Sequence, residues 1–150
     1  MKGKDNVYNL TRSYVTLKIK MLGGMPPVWA GDWVDLMARE IVKYDAGDTV
    51  LIRLGIAVEL PKGYEAHILP RSSTFKNYGL LHAASGLIDE GYCGDNDEWI
   101  FLAYATRKGQ VMPGERVCQF RIVKKQAQLS FQFVESLGNK NRGGFGSSGR

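Results

Sequence analysis

The strongest constraint on the fold of this chain is a repeated alternation of apolar and polar residues in short segments rich in β-branched and aromatic side chains. Successive side chains of an extended strand point to opposite faces, so this alternation predicts strands with one face against a core. Six segments carry the pattern: Tyr14 to Lys20, Val50 to Leu60, Tyr64 to Leu69, Trp99 to Thr106, Val117 to Val123 and Leu129 to Val134.

Turn-forming residues separate these segments, among them Pro61-Lys62-Gly63 and Met112-Pro113-Gly114. Their spacing is typical of sandwiches and jelly rolls rather than of alternating strands and helices, so we expect an all-β fold. The one short helical candidate is Ser72 to Asn77, where the serines could cap a single turn. Four aromatic residues alternate with apolar ones and are expected in the core: Phe101, Tyr104, Phe131 and Phe133.

The chain has 150 residues and 44% hydrophobic content, which is enough for one core but short for two domains. No stretch approaches the roughly 18 apolar residues that would span a bilayer, so we expect a soluble, cytoplasmic protein without a membrane partner. Cys93 and Cys118 lie far apart and are interpreted as reduced thiols.

A net charge of +5 favours an anionic partner without identifying it. The densest cationic group, Arg121, Lys124 and Lys125, follows a predicted strand without interleaved aromatic residues. We interpret it as a solvated strand end.

The composition changes at Gly138 to a run dominated by glycine, serine and asparagine. Such a run buries too little apolar surface to offset the entropy of ordering, so we divide the chain into a domain at 1–137 and a flexible arm at 138–150. The arm is either a low-complexity linker or a lid. The lid is favoured by Phe145, which could stack on a base, and by Ser147 and Ser148, which could surround a phosphate.

The segment Pro70-Arg71-Ser72-Ser73 places a bidentate cation and two hydroxyls at the start of a helical turn. These groups suit a phosphate chain. They fit a capped turn with a surface arginine equally well, and the residues alone leave both interpretations open.

A second segment runs from Gly86 to Gly94, and its glycines flank Leu87 and Ile88 before a carboxylate and an aromatic ring three positions apart. The layout is that of a hairpin whose inner face lines a small pocket. Asp89 could deprotonate a water and Tyr92 could pack against a sugar. The alternative is a turn-forming aspartate beside a half-buried tyrosine.

Two weaker signals complete the set. Asp35 lies between apolar neighbours on a predicted strand, and Gln119 lies near the start of another, after Gly114-Glu115-Arg116. Each is ordinarily a strand-end polar residue.

Taken in order, five segments resemble the five motifs of the trimeric dUTPase family, and the resemblance extends from about Leu17 to the end of the chain. The segments are Asp35-Leu36, Pro70-Arg71-Ser72-Ser73, Gly86 to Gly94, Gly114 to Gln119 and Arg142 to Gly149. The resemblance implies a distorted jelly-roll (β-clip-like) domain and a homotrimer with its sites at subunit interfaces. It further implies hydrolysis of dUTP to dUMP and pyrophosphate, which keeps uracil out of DNA, with Mg²⁺ on the substrate phosphates.

The resemblance also implies residue roles. Asp89 matches the carboxylate that activates the attacking water, and Tyr92 matches the ring that packs on deoxyribose. Asp35 and Gln119 match residues that hold the water shell of the metal. The substrate-binding residues that the resemblance implies are Arg71, Ser72, Ser73, Gly86, Ile88, Tyr92, Gln119, Arg142, Phe145, Gly146, Ser147 and Ser148.

Two alternatives stay open. A dCTP deaminase of the same fold would use a glutamate on the strand after Tyr92, yet the aligned residues 99–104 contain no carboxylate. A non-enzymatic β module that binds single-stranded nucleic acid or a protein would need cations interleaved with exposed aromatic residues. We therefore expect no nucleic-acid partner, and the sequence does not reveal a regulatory protein partner.

Overall fold

The computed structural model describes residues 14–144, and in them the chain forms strands and one short helix. In chain order the elements are β1 (Lys18–Met21), β2 (Val28–Ala30), β3 (Trp33–Met37), β4 (Val42–Tyr44), β5 (Thr49–Glu59), β6 (Tyr64–Pro70), α1 (Thr74–Tyr78), β7 (Leu80–His82), β8 (Gly86–Ile88), β9 (Glu98–Ala105), β10 (Gly109–Val111) and β11 (Arg116–Lys124). The prediction of an all-β fold is confirmed.

The strands form two main antiparallel sheets and a small ribbon. Sheet A has the order β1-β5-β9-β7, and sheet B has the order β2-β3-β11-β6-β8, while β10 and β4 pair with each other. The core lies between the sheets because alternate residues of β5 and β9 are buried. Trp99 and Phe101 are fully buried there, which confirms Phe101 as a core residue.

Sheet A contains an irregularity that requires glycine. The register of β5 against β9 shifts between Arg53 and Ala57, and Gly55 within the shift has a φ of 68°. A Cβ atom on Gly55 would lie 2.3 Å from the Cα of Gly24, so only glycine allows this approach of two backbones.

The prediction of a strand at 129–134 is wrong for the single chain. Residues 125–144 contain no helix or strand, and the exposed fractions of Phe131 and Phe133 are 77% and 95%. The core positions predicted for both rings are therefore wrong. The alternation is present, but no strand within 14–144 pairs with this segment, and an extended segment without a partner has no face to bury.

Other boundaries also differ from the prediction. Only the end of the segment 14–20 pairs, as β1, and Tyr14 is 88% exposed. Tyr104 is 45% exposed on the outer face of sheet A, so its predicted core position is wrong as well. No helix within 14–144 is long and apolar enough to cross a membrane.

The helix predicted at 72–77 forms as the shorter α1, and its capping differs from the prediction. Ser73 occupies the N-cap position, but within the described chain its side chain makes no capping hydrogen bond. The neighbouring Thr74 is buried and makes two hydrogen bonds. Its Oγ1 accepts one from the Arg71 amide at 2.8 Å and donates one to the Val117 carbonyl at 2.9 Å. Thr74 thereby fixes the turn after β6 against β11.

Candidate active site

An aspartate and two arginines meet where β6 ends. Asp35 on β3 is 1% exposed, and its Oδ2 lies 3.0 Å from Arg71 Nε and 3.4 Å from Arg116 Nη1. Arg71 also donates through Nη1 to the Arg116 carbonyl at 3.2 Å. Burial of a carboxylate is costly unless it is paired, so the two guanidinium groups offset the burial of Asp35, and Asp35 in turn fixes Arg71.

Gln119 joins this group through the register of sheet B. It pairs with Asp35 on β3 and with Leu69 on β6, and its Nε2 donates to the Pro70 carbonyl at 3.1 Å. We call these four residues, Asp35, Arg71, Arg116 and Gln119, the arginine cluster. Directly after Arg71, Ser72 is exposed and Ser73 is half-buried.

Burial affects one further group at the cluster. Cys118 is fully buried, and desolvation raises the pKa of its thiol well above the usual value, with the nearby Asp35 charge acting in the same direction. The thiol therefore stays protonated and unreactive at neutral pH. Both cysteines are free thiols, as the sequence predicted.

The segment from Gly86 to Gly94 is not the predicted hairpin. β8 pairs with β6 in sheet B, whereas β9, which follows it in the chain, belongs to sheet A. Residues 89–94, which we call the aspartate loop, therefore cross from one sheet to the other. Gly86 is required at the start of β8, because a Cβ there would lie 2.2 Å from the Ile68 carbonyl oxygen.

The aspartate loop presents Asp89 to solvent and holds its neighbours in place. Asp89 is exposed, and its carbonyl accepts a hydrogen bond from the Tyr92 amide at 3.0 Å, which closes a turn. The Tyr92 hydroxyl donates to the Glu98 carbonyl at 3.0 Å and so sets the direction of the ring. Ile88, just before the loop, packs half-buried against the core.

Within one chain the aspartate loop and the arginine cluster lie at opposite ends of β6. Ile88 pairs with Ala66, and Arg71 follows Ala66 at five residues' distance in the other direction. At about 3.3 Å per residue, roughly 17 Å along β6 separate Arg71 from Ala66, which lies opposite the residue just before the loop. A single chain therefore does not bring Asp89 together with Arg71, Ser72 and Ser73.

Comparisons with known proteins identify the family. The dUTPase family model matches residues 29–149. The SPbeta prophage-derived deoxyuridine 5'-triphosphate nucleotidohydrolase YosS of Bacillus subtilis (strain 168) is 52% identical over 120 residues, which cover 79% of this chain and 84% of that protein. The chain belongs to the dUTPase family.

Further relatives agree. The deoxyuridine 5'-triphosphate nucleotidohydrolase of Leifsonia xyli subsp. xyli is 33% identical over 89% of this chain and 91% of its own length. Among solved structures, the Staphylococcus bacteriophage 80alpha dUTPase, determined with dUPNHPP, has a TM-score of 0.74 at 23% identity and covers 90% of this chain and 99% of its own. The dUTPase of Staphylococcus aureus phage phi11, described with a structural Mg(II) ion, has a TM-score of 0.69 at 19% identity over 81% and 98%. These structures support the fold, and the jelly-roll expectation is confirmed.

The dUTPase motifs thus fall into two groups in this chain. The arginine cluster unites the predicted residues Asp35, Arg71 and Gln119, and the aspartate loop carries Asp89 and Tyr92. Arg142 is exposed in the segment after β11, and Phe145, Gly146, Ser147 and Ser148 lie outside the described residues.

Three charged residues beside the candidate site residues were missing from the predicted set. Arg116 stands inside the fourth motif but was interpreted only as a strand-end residue, although its guanidinium contacts Asp35. Glu90 and Lys125 form an ion pair of 2.7 Å beside Asp89. Arg121 stacks on the Trp33 ring at 4.3 Å. The cationic segment 121–125 is therefore not simply a solvated strand end. Sequence spacing gave no signal for the Glu90 pair, because its partners are far apart in the chain.

Proposed function

We propose that this chain hydrolyses dUTP to dUMP and pyrophosphate. Membership of the dUTPase family, with a curated dUTP nucleotidohydrolase 52% identical over most of both chains, is the observation that carries the proposal. The arginine cluster agrees with it, because a phosphate chain is an anionic ligand that guanidinium groups bind in bidentate fashion.

In the proposed reaction, Asp89 accepts a proton from a water that attacks the α-phosphorus in line with the departing pyrophosphate. Asp89 is exposed, so its carboxylate is free to hold such a water. Charge grows on the phosphate oxygens during the attack, and Arg71, Ser72 and Ser73 are suited to stabilise it. Tyr92, whose hydroxyl donates to the Glu98 carbonyl, is proposed to pack against the sugar.

The proposed site needs a second copy of the chain, because Asp89 and Arg71 are too far apart along β6 to serve one substrate. We propose a homotrimer in which the aspartate loop of one subunit faces the arginine cluster of another. The outer face of sheet A offers a contact surface: Leu51 and Leu81 are 48% and 47% exposed, and Tyr104 pairs directly with Leu81. Apolar side chains grouped on an exposed face mark an interaction surface.

The segment after β11 supports the same assembly. Residues 129–134 alternate apolar and polar side chains but pair with no described strand, and Phe131 and Phe133 are exposed. The arm at 138–150 follows shortly after them. We propose that this segment packs on a neighbouring subunit and delivers the arm, with Arg142, Phe145, Gly146, Ser147 and Ser148, to that subunit's substrate.

Mg²⁺ is proposed as the cofactor, and the residues present fit an indirect role. Within residues 14–144 no group of three or more His, Cys, Asp or Glu side chains could hold a metal ion directly. Mg²⁺ usually keeps several waters and takes phosphate oxygens as ligands, so a dense protein site is not required. Asp35 Oδ1 is buried without a hydrogen-bond partner among the described residues, and such an oxygen is suited to accept from a metal-bound water. When bound, Mg²⁺ would neutralise phosphate charge, and Asp35 and Gln119 would orient its water shell.

The deaminase alternative has less support. The only carboxylate on β9 is Glu98, at its first residue. Glu98 binds the Gly55 amide at 3.0 Å and forms ion pairs with Arg39 at 3.1 Å and Arg53 at 3.5 Å. A glutamate used in this way holds the irregular part of β5 and is not available for deamination.

A protein that binds single-stranded nucleic acid needs exposed aromatic residues, and Phe131, Phe133 and Tyr104 are exposed rather than in the core. Family membership nevertheless favours a nucleotide over an oligonucleotide as ligand.

We propose a cytoplasmic location for the protein, because two free thiols are stable there.

The test is a substrate panel of dUTP, dCTP, dTTP and UTP in which pyrophosphate and ammonia are both measured. We expect pyrophosphate from dUTP alone, and a loss of about 10³-fold or more in kcat for Asp89→Asn, which leaves no general base. Ammonia from dCTP would identify a deaminase, and full activity of Asp89→Asn would remove Asp89 from the reaction.

A further inference from the structure

Glu90 lies next to Asp89 in the aspartate loop and binds two groups outside it. Its Oε2 accepts a hydrogen bond from the Gly63 amide at 3.0 Å and one from Lys125 Nζ at 2.7 Å. The side chain of Glu90 is 28% exposed and that of Lys125 is 47% exposed. We call these three residues the Glu90 clasp.

The clasp joins three separate parts of the chain. Gly63 belongs to the turn before β6, and Lys125 directly follows β11. The Lys125 amide also donates to the Gly63 carbonyl at 2.9 Å. This backbone hydrogen bond closes the corner of sheet B independently of the Glu90 side chain. Glu90 thus ties the loop to a corner that is already fixed.

The other end of the loop has its own attachments. Tyr92 binds the Glu98 carbonyl, and Gly94 donates to Asp97 Oδ2 at 2.7 Å. Beside Asp89, Ile88 is held by its pairing with Ala66, and on the other side Glu90 makes the side-chain hydrogen bonds to Gly63 and Lys125. Loss of the clasp would therefore leave the proposed base held on the Ile88 side alone.

The contact between Glu90 and Lys125 also shifts the pKa values of both groups. The hydrogen bond and charge of Glu90 raise the pKa of the Lys125 ammonium, and the charges of Asp89 and Glu65 add smaller contributions. The hydrogen bonds from Lys125 and from the Gly63 amide lower the pKa of Glu90. Both shifts favour the charged forms, so the pair is ionised at neutral pH.

We propose that Glu90 is a positioning residue for the hydrolysis, which holds the aspartate loop against the corner that Gly63 and Lys125 form. This inference rests on the role proposed for Asp89. A general base that moves away from the attacking water loses turnover, so an unfixed loop is expected to lower kcat.

The first test is Glu90→Gln, which keeps the size of the side chain and an oxygen for the Gly63 amide but removes the charge that binds Lys125. We expect kcat for dUTP to fall about fivefold, the upper end for a partly exposed ion pair. KM should stay within a factor of about two, because the phosphates are bound at the arginine cluster. The matched control is Glu59→Gln, which breaks the exposed 3.0 Å pair with Lys18 on sheet A and should leave kcat unchanged.

The second test adds Lys125→Met, which removes the other partner of the ion pair. Because both substitutions break the same contact, Lys125→Met alone should lower kcat about as much as Glu90→Gln, and the double variant Glu90→Gln/Lys125→Met should be no slower than either single variant. Lys125→Arg, which keeps the charge that Glu90 binds, should retain most of the wild-type kcat. A Glu90→Gln enzyme within a factor of two of wild type, or a double variant whose loss is the product of the two single losses, would overturn the proposal, and thermal unfolding of each variant identifies misfolding.

Asp89→Asn is assayed in the same series to separate the two levels of the argument. An inactive Asp89→Asn with normal Glu90→Gln would refute the clasp alone. An active Asp89→Asn would refute the role of Asp89, on which the clasp depends.

Discussion

At the scale of single residues, the most constrained side chain is Asp35. It is a buried carboxylate that holds two partly exposed guanidinium groups, and one of its oxygens has no partner within residues 14–144. Its position has two consequences. It stabilises the meeting of β3, β6 and β11, and it sets the direction of the arginine proposed to bind the phosphate chain.

We therefore predict that Asp35→Asn lowers both stability and activity. An amide keeps the shape but loses the charge that pairs Arg71 and Arg116, and the expected loss in the free energy of unfolding is about 1–3 kcal/mol. The lower part of this range applies because both guanidinium groups can turn to water. Urea unfolding measures it, with Asp32→Asn on the exposed turn between β2 and β3 as the control. Equal stability of the two variants would contradict the role assigned to Asp35.

At the scale of elements, the sequence predicted the long strands and missed the short ones. β5, β6, β9 and β11 are long enough to show period-two alternation, whereas β2, β4, β7 and β10 have three residues each. Three residues cannot establish a period, and these strands are fixed by their partners. Alternation also cannot say whether a partner exists, which is why 129–134 was predicted as a paired strand.

The candidate site was predictable to a similar extent. The motifs at Asp35, Arg71 and Gln119 could be recognised from their order, and the register of sheet B brings all three together. The separation of Asp89 from Arg71 could not be read from the motifs, because it depends on β8 pairing with β6 in the antiparallel direction. The ion pair between Glu90 and Lys125 could not be predicted either, because its partners are far apart in the chain.

The segment after β11 gives a prediction at this scale. Removing residues 139–150 should leave a folded trimer, because within 125–144 no residue is buried, and should reduce kcat by about 10²-fold or more if the arm closes the site against water. Size-exclusion chromatography with light scattering reports the assembly, and pyrophosphate release reports turnover. Undiminished turnover by a truncated trimer would make the arm a linker.

At the scale of the whole molecule, the geometry of one chain makes assembly necessary for the proposed activity. The aspartate loop and the arginine cluster are each well ordered by contacts within the chain, yet they lie at opposite ends of β6. In the proposed assembly one subunit supplies the loop and another supplies the cluster, so that one substrate contacts both. The apolar residues exposed on sheet A and after β11 are the surfaces expected to hold such an assembly together.

The most direct test of this shared site is complementation between two inactive variants, Asp89→Asn and Arg71→Ala, mixed after reversible dissociation. If each site takes its aspartate from one subunit and its arginine from another, random mixed trimers should recover about a quarter of the wild-type sites. The variants reassembled separately should stay inactive. A mixture that forms mixed trimers but stays inactive would contradict the account, because it would mean that both residues must come from the same chain.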